Sequence, residues 1–503
     1  MLFNSLVFIG LFLPITLIGW YGFQKLENPL WARCFLVAAS FVFYGYYNPW
    51  YVLILAGSLT FNYACSSLFG RLRKQSCLPK LDSEKSGAQK LCAAKIVLFI
   101  GLLGNIGLLF YFKYCNFFLE NCNFLLHTDW KIEQLALPLG ISFFTFQQIS
   151  YLVDCYKDEN ISYRFLDYAC FITFFPQLIA GPIVLHSEFM PQLLERKNRK
   201  MDTALFFDGM ALFILGLSKK VLLADVLAIV VNAEYAGVAW LDAPSAWITI
   251  ICYMWELYFD FSGYCDMARG IGKLFGFALP ENFRSPLLAD SVKDFWRRWH
   301  MTLSRFLTTY IYIPLGGNRY GKWKQCRNIL IVFLVSGIWH GANWTFVVWG
   351  LMHGLAMVAE TLFPRLRFPK KWMNQAATGL YVTFTFSIFR SESLKEAWMM
   401  ITRLFTGGFH GFFVGLCNTL QIPETYLIRK ALEMKFPAWQ NPFYIACMVL
   451  LMGICVWLFC GKRAEEWIRE KGCTRKGILL LAVLFTWSFL SLSQVSTFLY
   501  FNF

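Results

Sequence analysis

Apolar runs close to the length of a membrane-spanning helix, roughly 20 residues, recur from one end of this 503-residue chain to the other. No other feature constrains the fold as strongly. Only 15% of the residues are charged, whereas soluble domains carry about 25%. A backbone in hydrocarbon must satisfy its own hydrogen bonds, and helices do so within each segment. The sequence therefore predicts an all-α polytopic membrane protein with a single integrated domain over residues 1–503.

The apolar runs also give the approximate position of each span. One run, 204–232, is interrupted by Lys219 and Lys220, which is unusual inside a span. The first run lacks a basic start and a small-residue cleavage site, so we expect a retained span and no signal peptide. The predicted spans are 2–22, 34–47, 50–69, 93–114, 136–153, 204–232, 245–262, 328–345, 346–363, 373–389, 443–460 and 478–495.

The net charge of +15 does not indicate a nucleic-acid-binding protein, because the basic residues gather in short loops between apolar runs. Such loops are typical of the cytoplasmic side of a membrane. Three predicted spans precede the first basic loop and one follows the last, so we expect both termini outside. The basic loops are 71–95, 195–200, 318–327, 365–371 and 461–476.

One apolar segment, 165–184, does not fit a simple crossing, since both of its flanks look cytoplasmic. It contains Pro176, Gly181 and Pro182, which break regular helix. Irregular backbone at membrane depth is tolerated only where protein or a water-filled cavity surrounds it. The segment therefore predicts a re-entrant hairpin beside an internal chamber.

A second unusual region, 264–327, is too polar for a span and too aromatic for a free loop. Helical spacing separates its polar and aromatic residues into opposing faces, which predicts an amphipathic helix at the cytoplasmic interface. The polar set is Asp294, Arg297, Arg298, His300 and Arg305, and the aromatic set is Phe295, Trp296, Trp299 and Phe306.

Histidine is the residue most suited to acid–base chemistry in this chain, and there are six of them. His340 lies deep in a predicted span, where an ionisable residue is a functional candidate by default. It is either a general base in a water-poor chamber or a hydrogen-bonding link between helices. His353 is interpreted as structural, and His186 is a weaker candidate for a chamber-lining residue.

His300 and its neighbours carry a second hypothesis. Arg297 and Arg298 suit an anionic substrate carrier on the cytoplasmic side, because guanidinium binds phosphate through paired hydrogen bonds. The alternative is that both arginines bind lipid phosphates. Trp299 would anchor this helix in the interface.

Several enzyme classes lack their motifs in this sequence. There is no G-x-S-x-G, no H-E-x-x-H and no Walker A lysine loop, and no paired spacing of metal-ligand type. A soluble-type hydrolase, a metalloprotease or an ATP-driven pump is therefore unsupported, and no metal site is expected.

Six segments, taken together and in order, resemble the membrane-bound O-acyltransferase family in its bacterial branch. The resemblance covers about 135–354, with a motif-bearing core of about 135–363, and the final STFLYFNF also fits. Each motif alone is weak, whereas their number and order are specific. The segments are LALPLGISFFTFQQISYLVDCY, FFPQLIAGPIV, YFDFSGYCDMARGIGKLFGF, NFRSPLLADSVKDFWRRWHMTLSRFL, YIPLGG and SGIWHGANWTFVVWGLMHG.

This resemblance implies a ring of about 11 transmembrane helices, with re-entrant and interfacial helices around a central chamber. The histidine of the WHG motif falls on His340 and that of WRRWH on His300, so both are expected to be catalytic. Arg297, Arg298, Trp299, Trp339 and Asn343 are expected to bind substrate. Relatives often have serine where this chain has Cys265, and we expect that change to leave activity intact.

The resemblance also implies the reaction. An acetyl group would leave a cytoplasmic thioester, acetyl-CoA, and cross the bacterial cytoplasmic membrane toward an extracytoplasmic polysaccharide. An exported SGNH-type acyltransferase or similar acceptor protein would be the partner, with membrane lipids around the chain. No bound cofactor is expected. The alternative is D-alanyl transfer to teichoic acid from a carrier-protein thioester, and the alternative of a different class is a polysaccharide or ion transporter.

Overall fold

The computed structural model of this chain is built from helices throughout the residues that it describes. Each predicted span overlaps a helix, so the all-α class and the positions of the apolar helices are confirmed. The described residues are 1–74, 83–131, 136–158, 160–195, 201–365, 367–409, 411, 413–493 and 498–499. Parts of the basic loops 71–95, 195–200 and 365–371, and most of the STFLYFNF motif, lie outside them.

The helices follow one another without intervening strands in the described part of the chain. Some of them continue directly into a turn or two of π-helix. In chain order they are α1 Leu13–Phe23, α2 Leu30–Gly45, α3 Trp50–Lys74, α4 Ser83–Leu109, α5 Cys115–Leu126, α6 Ile141–Lys157, α7 Phe165–Thr173, α8 Phe175–Leu178, α9 His186–Leu194, α10 Thr203–Ser218, α11 Asp225–Ala236, α12 Ala243–Leu274, α13 Val292–Trp296, α14 Met301–Leu307, α15 Lys322–His340, α16 Trp344–Leu362, α17 Lys371–Arg390, α18 Leu394–Thr406, α19 Phe413–Thr419, α20 Tyr426–Lys435, α21 Gln440–Cys460, α22 Ala464–Trp467 and α23 Arg475–Leu490.

By length and composition, four helical stretches among the described residues can cross a membrane unaided. They are Trp50–Leu72, Cys92–Leu126, Trp344–Leu362 and Pro437–Cys460, and two shorter apolar helices occupy Phe8–Phe23 and Leu30–Gly45. This finding agrees with a membrane protein. The number of about 11 crossings stays a prediction.

The chain forms two compact units, each assembled from two stretches of sequence. The first comprises Met1–Met210 with Ala268–Pro280, and the second comprises Ala211–Met267 with Glu281–Phe503. The prediction of one integrated domain over 1–503 is not tested by this division.

In the first unit, α2 and α3 begin in the same way. The side chain of Asn28 accepts a hydrogen bond from the Leu30 amide at 3.0 Å, and that of Asn48 accepts one from the Trp50 amide at 3.1 Å. Each asparagine is followed by proline, whose fixed φ suits the start of a helix. The repeated Asn-Pro pair therefore marks two helix starts.

Buried amides join three further helices of this unit. Asn62 of α3 donates to the Oε1 atom of Gln148 in α6 at 2.9 Å, and Asn105 of α4 donates to Asn62 Oδ1 at 2.6 Å. All three side chains are buried. Interhelical hydrogen bonds of this kind hold membrane helices together where the hydrophobic effect between them is weak.

The segment 165–184 is broken, as its sequence predicts. Helix α7 ends at Thr173, the four-residue α8 contains Pro176, and the chain then runs without helix through Gly181 and Pro182. Residues 167–184 are buried. The irregular backbone is thus surrounded by protein, while its depth in a membrane stays a prediction.

In the second unit, α10 and α12 touch at a pair of glycines. A Cβ atom on Gly216 would lie 2.6 Å from the Gly263 carbonyl oxygen, and one on Gly263 would lie 2.7 Å from that of Gly216. No larger residue fits at these distances, so the two backbones can approach closely. The π-helical segment Lys219–Ala224 follows directly and leads into α11.

The prediction that one amphipathic helix carries the residues from Asp294 to Phe306 is wrong. Helix α13 ends at Trp296, and α14 starts at Met301 after a turn in which His300 has φ +44°. The aromatic residues are buried and Arg297 is exposed, as the amphipathic pattern predicted. His300, however, is buried with the aromatic set, because the turn rotates it away from the arginines.

Candidate active site

Helices α15 and α16 form a tight hairpin that carries His340 and His353. A Cβ atom on Gly337 would lie 2.4 Å from the Phe346 carbonyl oxygen, so only glycine allows this approach. The predicted span 328–345 extends beyond the C-terminal end of the helix. Helix α15 stops at His340, since the next residues form the turn that starts α16.

The imidazole of His340 lies in an aromatic cage and is 5% exposed. Its ring centroid is 4.9 Å from that of Trp339, 5.1 Å from that of Trp349 and 5.3 Å from that of Phe389. These apolar walls limit access of water to the ring. A base in such surroundings acts on a substrate proton with little competition from solvent.

His353 is held at both ring nitrogens and is fully buried. The indole Nε1–H of Trp296 donates to His353 Nδ1 at 3.3 Å, so Nδ1 carries no proton. Nε2 therefore carries the ring proton and donates to the Thr385 hydroxyl at 3.0 Å, while that hydroxyl donates to the Val382 carbonyl. These bonds agree with the structural interpretation of His353.

His300 is buried at 1% exposure between α12 and α15. Its ring lies edge-on to Phe261 at 4.8 Å, and its Nδ1 atom is 3.2 Å from the side-chain oxygen of Asn282. Burial lowers the pKa of His300 to about 3, because the surroundings disfavour a charged ring. The imidazole is therefore neutral in the physiological range.

One tryptophan connects the two predicted catalytic histidines. The Trp339 ring centroid is 6.2 Å from that of His300 and 4.9 Å from that of His340. The separation of the two imidazoles cannot exceed the sum of these distances. The structure thus brings together His300, Trp339 and His340, all within the second unit.

The two arginines before His300 differ in their surroundings. Arg297 is exposed, whereas Arg298 donates from Nε to the Asp294 carboxylate at 2.9 Å. Trp299 is buried and stacks on Phe295 with ring centroids 5.4 Å apart. Arg297 is therefore the arginine of this pair that is open to a charged ligand, and Trp299 belongs to the packing beneath it.

Asn343 has its side chain committed to the start of α16. Its Oδ1 atom accepts the Thr345 amide at 3.1 Å, and its amide group donates to the Glu392 carbonyl at 2.7 Å. It therefore caps the helix that follows the turn after His340. A role in binding substrate stays a prediction.

Sequence reasoning missed Asn282, which contacts His300 from 18 positions earlier in the chain. It also missed the partners of the two lysines inside the 204–232 run. Lys220 bonds to Asp225 and Asp260 at 2.8 and 2.5 Å, and Lys219 bonds to Asp266 at 2.6 Å. The signal was present in the unusual Lys-Lys pair, since buried charges require opposite charges nearby.

Two residues near the end of the chain pack against α12 beside this cluster. The backbone amide of Leu499 donates to the second carboxylate oxygen of Asp260 at 2.9 Å. Phe498 is buried and stacks on Tyr264 with ring centroids 4.6 Å apart, and it also contacts Phe261. Since Phe261 touches the His300 ring, these residues help to form the wall behind the site.

His186 lies in the first unit and forms a hydrogen-bonded chain there. Its Nδ1 atom is 3.1 Å from the Tyr163 hydroxyl, and its Nε2 atom is 3.1 Å from the Asp154 carboxylate. These bonds fix the ends of α6 and α9 to the loop between α6 and α7. Among the residues that the structure describes, no three His, Cys, Asp or Glu side chains form a group that could hold a metal ion.

Comparison with known proteins identifies the class. Residues 141–400, which include His300 and His340, match the membrane-bound O-acyltransferase family. The chain is 37% identical to the peptidoglycan O-acetyltransferase of Helicobacter pylori over 544 aligned residues, which cover 100% of this chain and 98% of that protein. This chain therefore belongs to the membrane-bound O-acyltransferase family, and it is an O-acyltransferase.

Two other relatives differ in how much of the chain they share. The probable alginate O-acetylase AlgI of Pseudomonas aeruginosa is 36% identical over 421 residues, covering 81% of this chain and 75% of that protein. The teichoic acid D-alanyltransferase of Bacillus subtilis is 27% identical over 261 residues, covering 49% of this chain and 65% of that protein. The similarity thus covers more of this chain for the two proteins that are named for acetyl transfer than for the D-alanyltransferase.

Proposed function

We propose that this chain transfers an acetyl group from cytoplasmic acetyl-CoA across the bacterial cytoplasmic membrane toward an extracytoplasmic polysaccharide. The observation that carries the proposal is the contact of two buried imidazoles, His300 and His340, with the single indole of Trp339. The full-length similarity to a peptidoglycan O-acetyltransferase supports an acetyl group and favours peptidoglycan as the glycan. The acyl group would reach it through an exported SGNH-type acyltransferase.

In this proposal, His340 is the general base. It takes the proton of the acceptor hydroxyl as the oxygen attacks the thioester carbonyl. The carbon–oxygen bond forms, the carbon–sulfur bond breaks, and the proton passes to the departing thiolate. General base catalysis contributes about 10²–10⁴-fold, and the aromatic cage would limit hydrolysis of the thioester.

The donor side of the proposal places Arg297 at the entry for the thioester. Acetyl-CoA carries several phosphates, and an exposed guanidinium can bind one of them through two hydrogen bonds. Arg298 would act less directly, because its Nε–H already donates to Asp294. The donor is a substrate in this scheme, and no resident cofactor takes part.

The test is a thioester-consumption assay with purified full-length protein in proteoliposomes. Acetyl-CoA and a D-alanyl carrier-protein thioester are offered separately, each with and without the exported acyltransferase and a soluble glycan acceptor. We expect the wild-type protein to transfer the acetyl group and the His340→Ala protein to lose this transfer. Consumption of the D-alanyl thioester alone would replace this proposal with D-alanylation.

A second arm of the same experiment addresses the transporter alternative. A transporter would move a labelled glycan or ion into the vesicles without consuming any thioester. Equal acetyl transfer by wild type and a correctly inserted His340→Ala protein would refute the base role. The variant His340→Gln is the matched control, since it retains a polar side chain of similar length but cannot act as a base near neutral pH.

A further inference from the structure

We propose that Asn282 is a positioning residue that fixes the tautomer of His300, so that Nε2 is the ring nitrogen that can accept a hydrogen bond from a reacting group. Neither the sequence motifs nor the relatives assign a role to this asparagine. The inference deepens the proposed function and rests on it, because it concerns the proton chemistry of the same site. It follows from the hydrogen bonds of one buried amide.

The orientation of the Asn282 amide is determined by its neighbours. The backbone N–H of Thr302 lies 3.1 Å from Oδ1, and the Thr302 hydroxyl lies 2.9 Å from the same atom. A backbone N–H can only donate, so the atom that it meets must be the oxygen. The amide nitrogen then points to the sulfur of Cys265 at 3.3 Å.

This orientation decides the tautomer of His300. Its Nδ1 atom lies 3.2 Å from the same Asn282 oxygen, and a carbonyl oxygen cannot donate. Nδ1 must therefore carry the proton and donate it to Asn282. The lone pair of the neutral imidazole is then on Nε2. The hydrogen bond that Nδ1 makes therefore determines that Nε2 is the basic nitrogen.

Asn282 also holds the turn that gives His300 its unusual backbone. The Met301 amide donates to the backbone carbonyl of Asn282 at 3.0 Å, and the Thr302 amide donates to the side-chain oxygen of Asn282. These are the first two amides of α14, which have no partner within their own helix. Asn282 thus caps α14 from a distant position while His300 adopts φ +44°, a conformation that non-glycine residues rarely keep without support.

The surroundings make this arrangement sensitive to charge. The contacts of the His300 ring include Phe261 in α12, Asn282 and Trp339 in α15, and these three groups are uncharged. The carboxylates Asp260 and Asp266 of α12 are each paired with a lysine. On the adjoining turn, Arg298 is paired with Asp294. Burial alone accounts for the lowered pKa of His300.

The variant Asn282→Asp distinguishes the positioning of the His300 ring by Asn282 from its capping of α14. A carboxylate oxygen still accepts the bonds from Thr302 and His300, and the Cys265 thiol can donate to the other oxygen. The cap is therefore preserved. A negative charge beside the ring, however, favours the protonated imidazole and raises the pKa of His300 by roughly 1–3 units. As the pH falls through that raised pKa, Nε2 gains a proton and can no longer accept a hydrogen bond.

The experiment measures kcat/KM for acetyl transfer from about pH 3 to 9 with the full-length protein in proteoliposomes, so that the range includes the pKa of His300 in both proteins. We expect the acidic limb of Asn282→Asp to move upward by about one pH unit or more, with a melting temperature close to that of wild type. Asn282→Ala should lower kcat roughly 100-fold, because the ring loses its orientation. Ser393→Asp, which places a carboxylate at the N-cap of α18, is the matched control and should leave the profile unchanged.

The outcomes separate this inference from the function on which it rests. A wild-type protein that consumes no acetyl thioester overturns the proposed function. An active wild type with an unchanged pH profile in a stable Asn282→Asp protein overturns the positioning role alone and leaves Asn282 as a helix cap. Upward movement of the acidic limb in Asn282→Asp, without such movement in Ser393→Asp, supports the inference.

Discussion

Replacement of His353 should destabilise this protein, in contrast to replacement of His340, which lies 13 residues earlier in the same hairpin. His353→Ala removes the acceptor of the Trp296 indole N–H, which becomes a buried donor without a partner. That loss costs about 1–3 kcal/mol. The empty volume left by the ring adds about 2 kcal/mol in a site that cannot collapse freely. The total is about 3–5 kcal/mol of unfolding free energy.

His353→Phe divides this total into its two parts. Phenylalanine fills most of the space, but it leaves the Trp296 donor unpaired, so the loss should be about 1–3 kcal/mol. Transfer should also weaken in both variants, because Trp296 belongs to α13 and leads into the turn that carries His300. The measurement is reversible unfolding of the purified protein in mixed micelles at increasing SDS, alongside acetyl transfer.

His340→Ala is the comparison within the same experiment. It should abolish transfer, and the loss of its ring packing against Trp339, Trp349 and Phe389 should cost less stability than the loss of His353. The reasoning would fail if His353→Phe were as stable as wild type and yet inactive. That result would place His353 in the chemistry, and the bonds to Trp296 and Thr385 would not be its main role.

Three further results are expected. Arg297→Gln should raise the apparent KM for the thioester with little effect on turnover at saturation. Arg298→Gln should raise the apparent KM less. An unchanged KM in a stable Arg297→Gln protein would show that Arg297 does not belong to the donor site. Cysteines introduced into 71–95 should resist labelling from outside intact cells, and labelling there would contradict the cytoplasmic assignment. Lys220→Met should cost about 3–5 kcal/mol in unfolding by SDS, because buried carboxylates lose their cation, and the added change Asp260→Asn should recover part of that loss.

The sequence was sufficient to predict the apolar helices, because their length and composition follow from the requirements of hydrocarbon. The break in 165–184 was also predictable, since Pro176 and Pro182 disrupt helix locally. The break at His300 was not predictable in this way. Its conformation depends on hydrogen bonds from Asn282, which is distant in sequence, and local spacing alone favoured one continuous helix.

In the candidate site, too, some features were predictable from the sequence and others depended on contacts between distant residues. His340 and His300 were identified by residue type and motif, and the structure brings both to Trp339. The substrate-binding role expected of Asn343 stays a prediction, whereas its cap on α16 was not predicted from the sequence. A sequence shows which polar residues lie near a site, whereas the partner of each polar atom is decided by tertiary contacts.

The π-helical segment Lys219–Ala224 has a consequence for how genes of this kind can change length. A π-turn is an α-helix that holds one extra residue. Deleting one residue there would restore an unbroken α-helix and rotate everything beyond it by roughly 100°, so Lys220 could no longer face both Asp225 and Asp260. Single-residue insertions and deletions, which loops absorb readily, should therefore be selected against at this point, and an alignment that places a gap inside 219–224 would have the register of the helix wrong.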